Sequence, residues 1–196
     1  VVNRSRKVAD GMSKGVEFLM KKNKIDVLEG HGKIMAGKKV IVTQGNKKEE
    51  YQAKHIIIAT GARSRELPSL PQDGKKVIGY RHAMTLENQP KKLIVVGSGA
   101  IGIEFAYFYN AMGTEVTIIE FMDRIIPLED QEVSKQLERS FKKSGIKVMT
   151  NAEVTSVDIK GKGVKTNIKT AKGEELVTSD VVLSAVGIKT NIENIG

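Results

Sequence analysis

Cysteine and tryptophan are absent from this chain of 196 residues. Without a thiol there is no disulfide staple, no thiolate metal site, and no cysteine nucleophile or redox pair among these residues. No apolar run approaches the ~18 residues that a membrane-spanning helix needs. The amino end, Val1-Val-Asn-Arg-Ser-Arg-Lys7, also lacks the apolar stretch of a signal peptide, so a cytoplasmic protein without a membrane partner is the expectation. Aromatic residues make up 5% of the chain, which leaves few platforms for stacking on nucleic-acid bases. What remains is an ordinary packed composition. Hydrophobic residues are 40% and glycines number 19, so about half the chain is apolar, and the length predicts one domain or two small ones.

The net charge of +9 is unevenly placed. Residues 1–90 hold 18 basic and 9 acidic side chains, whereas residues 91–196 hold 14 of each. The two parts therefore read as separate domains. The excess lysines occur as scattered pairs (Lys21/Lys22, Lys38/Lys39, Lys47/Lys48, Lys75/Lys76), with no DNA- or RNA-binding signature around them. A solvated basic face is the expectation, with no nucleic-acid partner.

Apolar residues at Val8, Met12, Val16 and Leu19 recur with helical spacing and predict an amphipathic helix closed by Lys21, Lys22 and Asn23. Beyond it the period shortens. Ile25–Leu28, Lys39–Thr43, Tyr51–Ala53 and His55–Ala59 are β-type runs broken by Gly30, Gly32, Gly37 and Gly45, predicting a small meander that leads into a buried strand. Pro68, Pro71, Asp73 and Gly74 then mark a boundary between about residues 65 and 85. The second part opens on Lys92–Val96, a continuous apolar run of the kind buried on both faces of a parallel sheet. A helix to about Met112, with Gly113 past its end, and a second strand, Glu115–Ile119, complete a βαβ unit. Asp130 is placed to cap a helix with the stripe Val133, Leu137 and Phe141. A third strand over residues 146–149, an antiparallel meander over 153–178 and a last buried strand, Val181–Ala185, follow.

Gly97-Ser98-Gly99-Ala100-Ile101-Gly102 stands between the first strand and its helix, and Glu120 ends the next strand, 18 positions after Gly102. That context turns a weak G-x-G-x-x-G pattern into a specific one, because the expected acidic residue lies ~20 positions on. Gly97 permits the tight turn, Gly99 lets backbone approach a pyrophosphate, and Gly102 lets the helix sit close to the strands. Free N–H groups and the helix dipole would hold the phosphates. Glu120 would accept from the adenosine ribose hydroxyls and repel a 2′-phosphate, favouring NAD over NADP. The fold class is thus α/β, with a Rossmann-like NAD-binding domain that carries a three-stranded meander.

Other candidates are open to two readings. Glu104, taken to fall in the first helical turn, is explained either by the dipole or by a role near the nicotinamide. Thr60-Gly61 is a plain turn or a place of close cofactor approach. Glu129, Asp130 and Glu132 suit helix initiation. His31, His55 and His82 form no ligand-spaced or triad-like cluster, and no metal site is expected.

Gly15–Lys24, Gly30–Ile34, Ile56–Gly61, Gly97–Glu104, Ile118–Arg124 and Ala185–Gly187, in that order over essentially the whole chain, closely resemble the dihydrolipoamide dehydrogenase family, within the FAD-dependent pyridine nucleotide-disulfide oxidoreductases. The resemblance implies that residues 1–75 are a partial FAD-binding domain of one helix and β-strands, and that residues 76–196 are an NAD-binding domain. It implies that Gly32, Thr60, Gly61 and Ala62 lie against FAD. Gly97, Ser98, Gly99, Ala100, Ile101, Gly102, Ile103, Glu104, Glu120, Val154 and Gly187 would line NAD, with Glu104 near the nicotinamide and flavin as the one catalytic candidate. Ala100, where related glutathione reductases carry a tyrosine, and Glu120 both favour the lipoamide branch. The family's activity is oxidation of dihydrolipoamide through a disulfide and FAD to NAD, by a homodimer within a 2-oxo acid dehydrogenase complex. The resemblance also implies an internal fragment, because the redox cysteines, the first FAD glycine motif and the carboxy-terminal His-Glu pair are missing. Ile188-Lys189-Thr190 departs from the family's Arg- and Pro-containing stretch. Another flavin disulfide reductase, an NADH oxidase, or an NAD-sensing module without catalysis are the alternatives.

Overall fold

The computed structural model describes all of residues 1–196. The chain divides into two compact units, one made of residues 1–63 and 190–196, the other of residues 64–189. The division falls at Arg63/Ser64 rather than near residue 75, and the last seven residues belong with the first unit. It runs through two short strands, β4 (Ala62–Ser64) and β13 (Ile188–Thr190).

In the first unit α1 (Val2–Lys22) ends at Asn23, whose N–H and Nδ2 both donate to the Leu19 carbonyl at 3.0 and 2.8 Å. β1 (His31–Met35), β2 (Lys39–Gln44) and β3 (Lys47–Gln52) form an antiparallel sheet in that order. Lys39–Glu50 and Lys47–Glu49 ion pairs, both exposed, decorate it. No residue of this unit is buried. The stripe predicted for α1 is helical but covers nothing: Met12 is 70% exposed and Leu19 49%. Two predicted strands are absent. Ile25–Leu28 and His55–Ala59 are irregular, and Ile57 is 90% exposed. An apolar run becomes a strand only where a neighbour accepts its N–H groups and covers its side chains, and no strand of the chain pairs with either run.

The second unit carries the core. Its centre is a five-stranded sheet in the order β5 (Val77–Ile78), β12 (Val181–Ser184), β6 (Lys92–Val96), β7 (Glu115–Ile119), β8 (Lys147–Met149), with every neighbouring pair parallel. Parallel neighbours require crossovers. α3 (Ala100–Ala111) supplies one between β6 and β7, and α4 (Gln131–Lys143) another between β7 and β8. The alternation of side chains along a strand then sorts the core into two layers. Leu93 and Val95 face Ala106, Tyr109 and Phe141 on the helical side, while Ile94 and Val96 face Val154, Val164 and Ile168 on the other. That second layer is roofed by the antiparallel meander β9 (Glu153–Asp158), β10 (Val164–Thr170) and β11 (Gly173–Ser179), with a register shift at Asn167/Ile168. Asp130 caps α4 as predicted, accepting from Glu132 N–H at 2.7 Å. β5 and a single helical turn, α2 (Tyr80–Ala83), were not anticipated. The Rossmann-like α/β unit with its three-stranded meander is what the strand and helix pattern called for.

Candidate functional site

In a sheet ordered this way, the strand sequence reverses between β6 and β12, and the crevice outside their carboxyl ends is where doubly wound folds bind ligands. Val96 pairs with Ser184 at that edge, and the Ala185 N–H donates to the Val96 carbonyl at 2.8 Å. The glycine turn leaves β6 there. Gly97 has φ +95°, and a Cβ on it would come within 2.5 Å of the Ala185 carbonyl oxygen. Only glycine satisfies both demands. Gly102 sits on the inner side of α3, where a Cβ would collide with the Gly97 carbonyl oxygen, so the helix starts hard against the turn. Gly99 is different: it is exposed, and a Cβ there would meet nothing within 4 Å. Space therefore opens at the one glycine that begins α3.

The first turn of α3 has no side-chain cap and no acidic residue. Its leading N–H groups have no intrahelical acceptors, and the dipole adds positive potential, so the arrangement can hold an anionic oxygen at Gly99. Ala100 is exposed beside it, whereas Ile101 and Ile103 turn their side chains into the core and offer only backbone. Glu104 is exposed in the fifth position of the helix, past the first turn where it was expected. Attraction to the helix terminus, which fades beyond that turn, therefore does not explain it.

Glu120 follows β7 and is 7% exposed. Its Oε2 accepts from the Ser98 N–H at 2.8 Å and from the Ser98 hydroxyl at 2.6 Å, and its Oε1 accepts from the Met122 N–H at 2.8 Å. The carboxylate thus ties the glycine turn to the segment after β7. A second tie runs through Ile126, whose N–H donates to the Ser98 carbonyl at 3.1 Å. Ile126 has φ +40°, a strained setting for a β-branched residue. It is held by Ser134 of α4, whose buried hydroxyl donates to the carbonyls of Ile125 at 2.5 Å and Ile126 at 3.3 Å. Met122, Ile126 and Ser134 escaped sequence reasoning, because backbone partners leave no motif. Ser184, 2% exposed at the end of β12, has a hydroxyl with no partner and was equally invisible.

The remaining candidates do not all join this cluster. Val154 is 7% exposed in the layer under the meander, and Gly187, with φ +110° and open space about it, follows β12. The Gly187 carbonyl accepts from the Arg65 N–H at 2.9 Å. In the other unit Gly32 lies within β1, opposite Val42. There the Thr60 and Gly61 carbonyls are taken by Asn191, through Nδ2 at 3.1 Å and N–H at 3.0 Å, and Ala62 begins β4. Arg63 donates to Asn191 Oδ1 at 2.7 Å and pairs with Glu193 at 2.7 Å. A turn fastened at both carbonyls by the carboxy-terminal segment has a structural task whether or not a cofactor meets it. No group of three or more acidic or histidine side chains is placed to hold a metal.

The family model for pyridine nucleotide-disulphide oxidoreductase matches residues 2–195. A dihydrolipoyl dehydrogenase of Rhizobium etli is 42% identical over 212 residues, spanning 100% of this chain and 44% of the relative. One from Zymomonas mobilis is 43% identical over 201 residues, spanning 100% and 42%. Among solved structures, LpdA from Mycobacterium tuberculosis superposes with a TM-score of 0.90 at 29% identity, covering 100% of this chain and 43% of that one. The flavoprotein disulfide reductase RclA from Escherichia coli, at 22% identity and a TM-score of 0.81, shares the fold. The chain spans less than half the length of the curated relatives it matches.

Proposed function

The chain belongs to the pyridine nucleotide-disulphide oxidoreductase family, and on that premise we propose that residues 64–189 bind NAD(H) within a dihydrolipoyl dehydrogenase. The observation that carries the reading is the open position at Gly99, at the strand-order reversal, with Glu120 lying under the turn. The residues fit the group. The first-turn N–H groups of α3 would face the pyrophosphate, and Gly99 would let the backbone close on it. Glu120, negative at the end of β7, would accept from the adenosine ribose and disfavour a 2′-phosphate there, so NAD is preferred to NADP. Val154 and Gly187 would line the same nucleotide, and Glu104 would stand toward its nicotinamide end.

When bound, the two cofactors supply a hydride donor in the flavin and an acceptor in the nicotinamide. The chain's own contribution is to hold and orient them. Gly32 and the Thr60–Ala62 turn are the residues proposed to lie against FAD, making residues 1–63 with 190–196 the FAD-facing portion and residues 64–189 the NAD-facing portion. In the whole protein the oxidised substrate is dihydrolipoamide, and a homodimer within a 2-oxo acid dehydrogenase complex is the proposed setting.

Calorimetric titration with NADH and with NADPH, repeated on Glu120→Ala, tests the nucleotide reading. Tighter binding of NADH, with the preference lost in the variant, is the expected result. A folded chain that binds neither, or a variant that keeps the preference, refutes it.

A further inference from the structure

Glu120 has a shortage of acceptors. An ionised carboxylate offers about four lone-pair positions, and three are in use: two on Oε2 by Ser98 and one on Oε1 by the Met122 N–H. A ribose diol brings two donors, and one free position cannot serve both. Of the three occupants, two are backbone N–H groups. The Ser98 N–H is fixed by a turn whose carbonyl is also held by the Ile126 N–H, and the Met122 N–H lies two residues from Glu120 itself. The third is a hydroxyl, which can swing away by rotation of one side-chain bond.

We propose that the Ser98 hydroxyl is an internal competitor for the ribose diol, occupying on Glu120 an acceptor position that the second ribose hydroxyl needs. Ser98 is wholly buried and Glu120 nearly so, so neither end of the bond is readily satisfied by solvent and the exchange carries a cost. Ser98 is then a specificity-determining residue. It lowers affinity for any nucleotide with an intact diol, and it flattens the difference between a full ribose and one lacking a hydroxyl. The inference rests on the reading of Glu120 as the ribose acceptor.

The test compares the 196-residue chain with Ser98→Ala, and with Ser98→Gly should the first variant prove unstable, using NADH and its analogue lacking the adenosine 2′-hydroxyl. The wild type is expected to bind the two nucleotides within about 2-fold of each other. Ser98→Ala is expected to bind NADH about 3- to 10-fold more tightly, the worth of one net hydrogen bond, with little gain for the deoxy analogue. A purely structural role would move both nucleotides together, so equal gains overturn the proposal. Unchanged or weaker NADH binding by both variants overturns it as well, as does a wild-type chain that already discriminates strongly between the two. Failure of the underlying reading looks different: the folded wild type binds no NADH, or Glu120→Ala binds it undiminished, and the competitor role falls with it.

Discussion

Gly99→Ala and Gly102→Ala, three residues apart on one helix terminus, should separate binding from stability. At Gly99 the backbone is at φ −67° and ψ −178°, which alanine adopts freely, and a methyl would stand in open space. Loss of unfolded-state freedom favours the variant by about 0.4–1 kcal/mol, and alanine's weakness at a helix N-cap takes a similar amount back. Stability should therefore stay within about 1 kcal/mol of the wild type. At Gly102 the methyl would overlap the Gly97 carbonyl oxygen, and the obstacle is backbone rather than the end of a flexible side chain. Helix propensity favours alanine by about 1 kcal/mol. Because that obstacle is backbone, forcing α3 off the turn falls at the upper end of overpacking costs, about 3 kcal/mol, so the net loss should be about 2 kcal/mol. Urea unfolding followed by circular dichroism measures both. For NADH the order is different: the Gly99→Ala methyl occupies the proposed pyrophosphate approach and should weaken binding at least about 10-fold, or ~1.4 kcal/mol. A stable Gly99→Ala protein with undiminished NADH affinity would refute the assignment of that open space to a ligand, and a Gly102→Ala protein as stable as wild type would refute the packing argument.

Three further outcomes concern Tyr109, Asp73 and the exposed face of α1. The Tyr109 hydroxyl, on a ring 5% exposed, donates to the Ala83 carbonyl at 2.6 Å, so Tyr109→Phe should cost about 1–2 kcal/mol of stability by stranding a buried acceptor; a midpoint equal to wild type in urea would count against it. The Asp73 carboxylate accepts from the N–H groups of Lys75, Lys76 and Val77 at 2.8–2.9 Å. Partial burial works to raise its pKa, and those bonds outweigh burial and hold it below its ordinary value. A depressed folded-state pKa gives stability that is present above the unfolded value, near pH 4, and lost as pH falls through the folded one. Asp73→Asn should therefore flatten the acid limb of the stability profile, and an unchanged slope below about pH 4 would exclude this linkage. Finally, the uncovered apolar residues of α1, with Phe18 64% and Met12 70% exposed, predict self-association of the chain. Light scattering should show it reduced by Met12→Lys and Leu19→Lys, and a clean monomer at high concentration would contradict it.

The difference between what was legible and what was not lies in what a residue's signal depends on. Leu93–Val96 and His55–Ala59 are apolar runs of the same kind, yet only the first is a strand. A run announces a need for cover. Whether cover arrives depends on partners elsewhere: Leu93–Val96 has neighbours on both edges and a layer on each face, and His55–Ala59 has none. The two-residue β5 and three-residue β13 are too short to carry any period. Glycines were legible because their demands are local, and Gly97 and Gly102 meet the steric conditions expected of them. Glu104 was misplaced by one turn because a helix start cannot be fixed to a residue from pattern alone.

Glu120 shows where motif reasoning stops. An acidic residue at the end of a second strand gives the same sequence signal whether its oxygens await a ligand or are bonded to the protein. Here three acceptor positions are committed to Ser98 and Met122, so the residue that would discriminate between nucleotides also fastens the loop that would hold them. These two duties compete for one carboxylate. A substitution at Glu120 alone will therefore report loop disorder and lost ribose contacts together. Separating them requires changing the ligand's hydroxyls as well as the protein's, because only the ribose term can respond to a deoxy nucleotide.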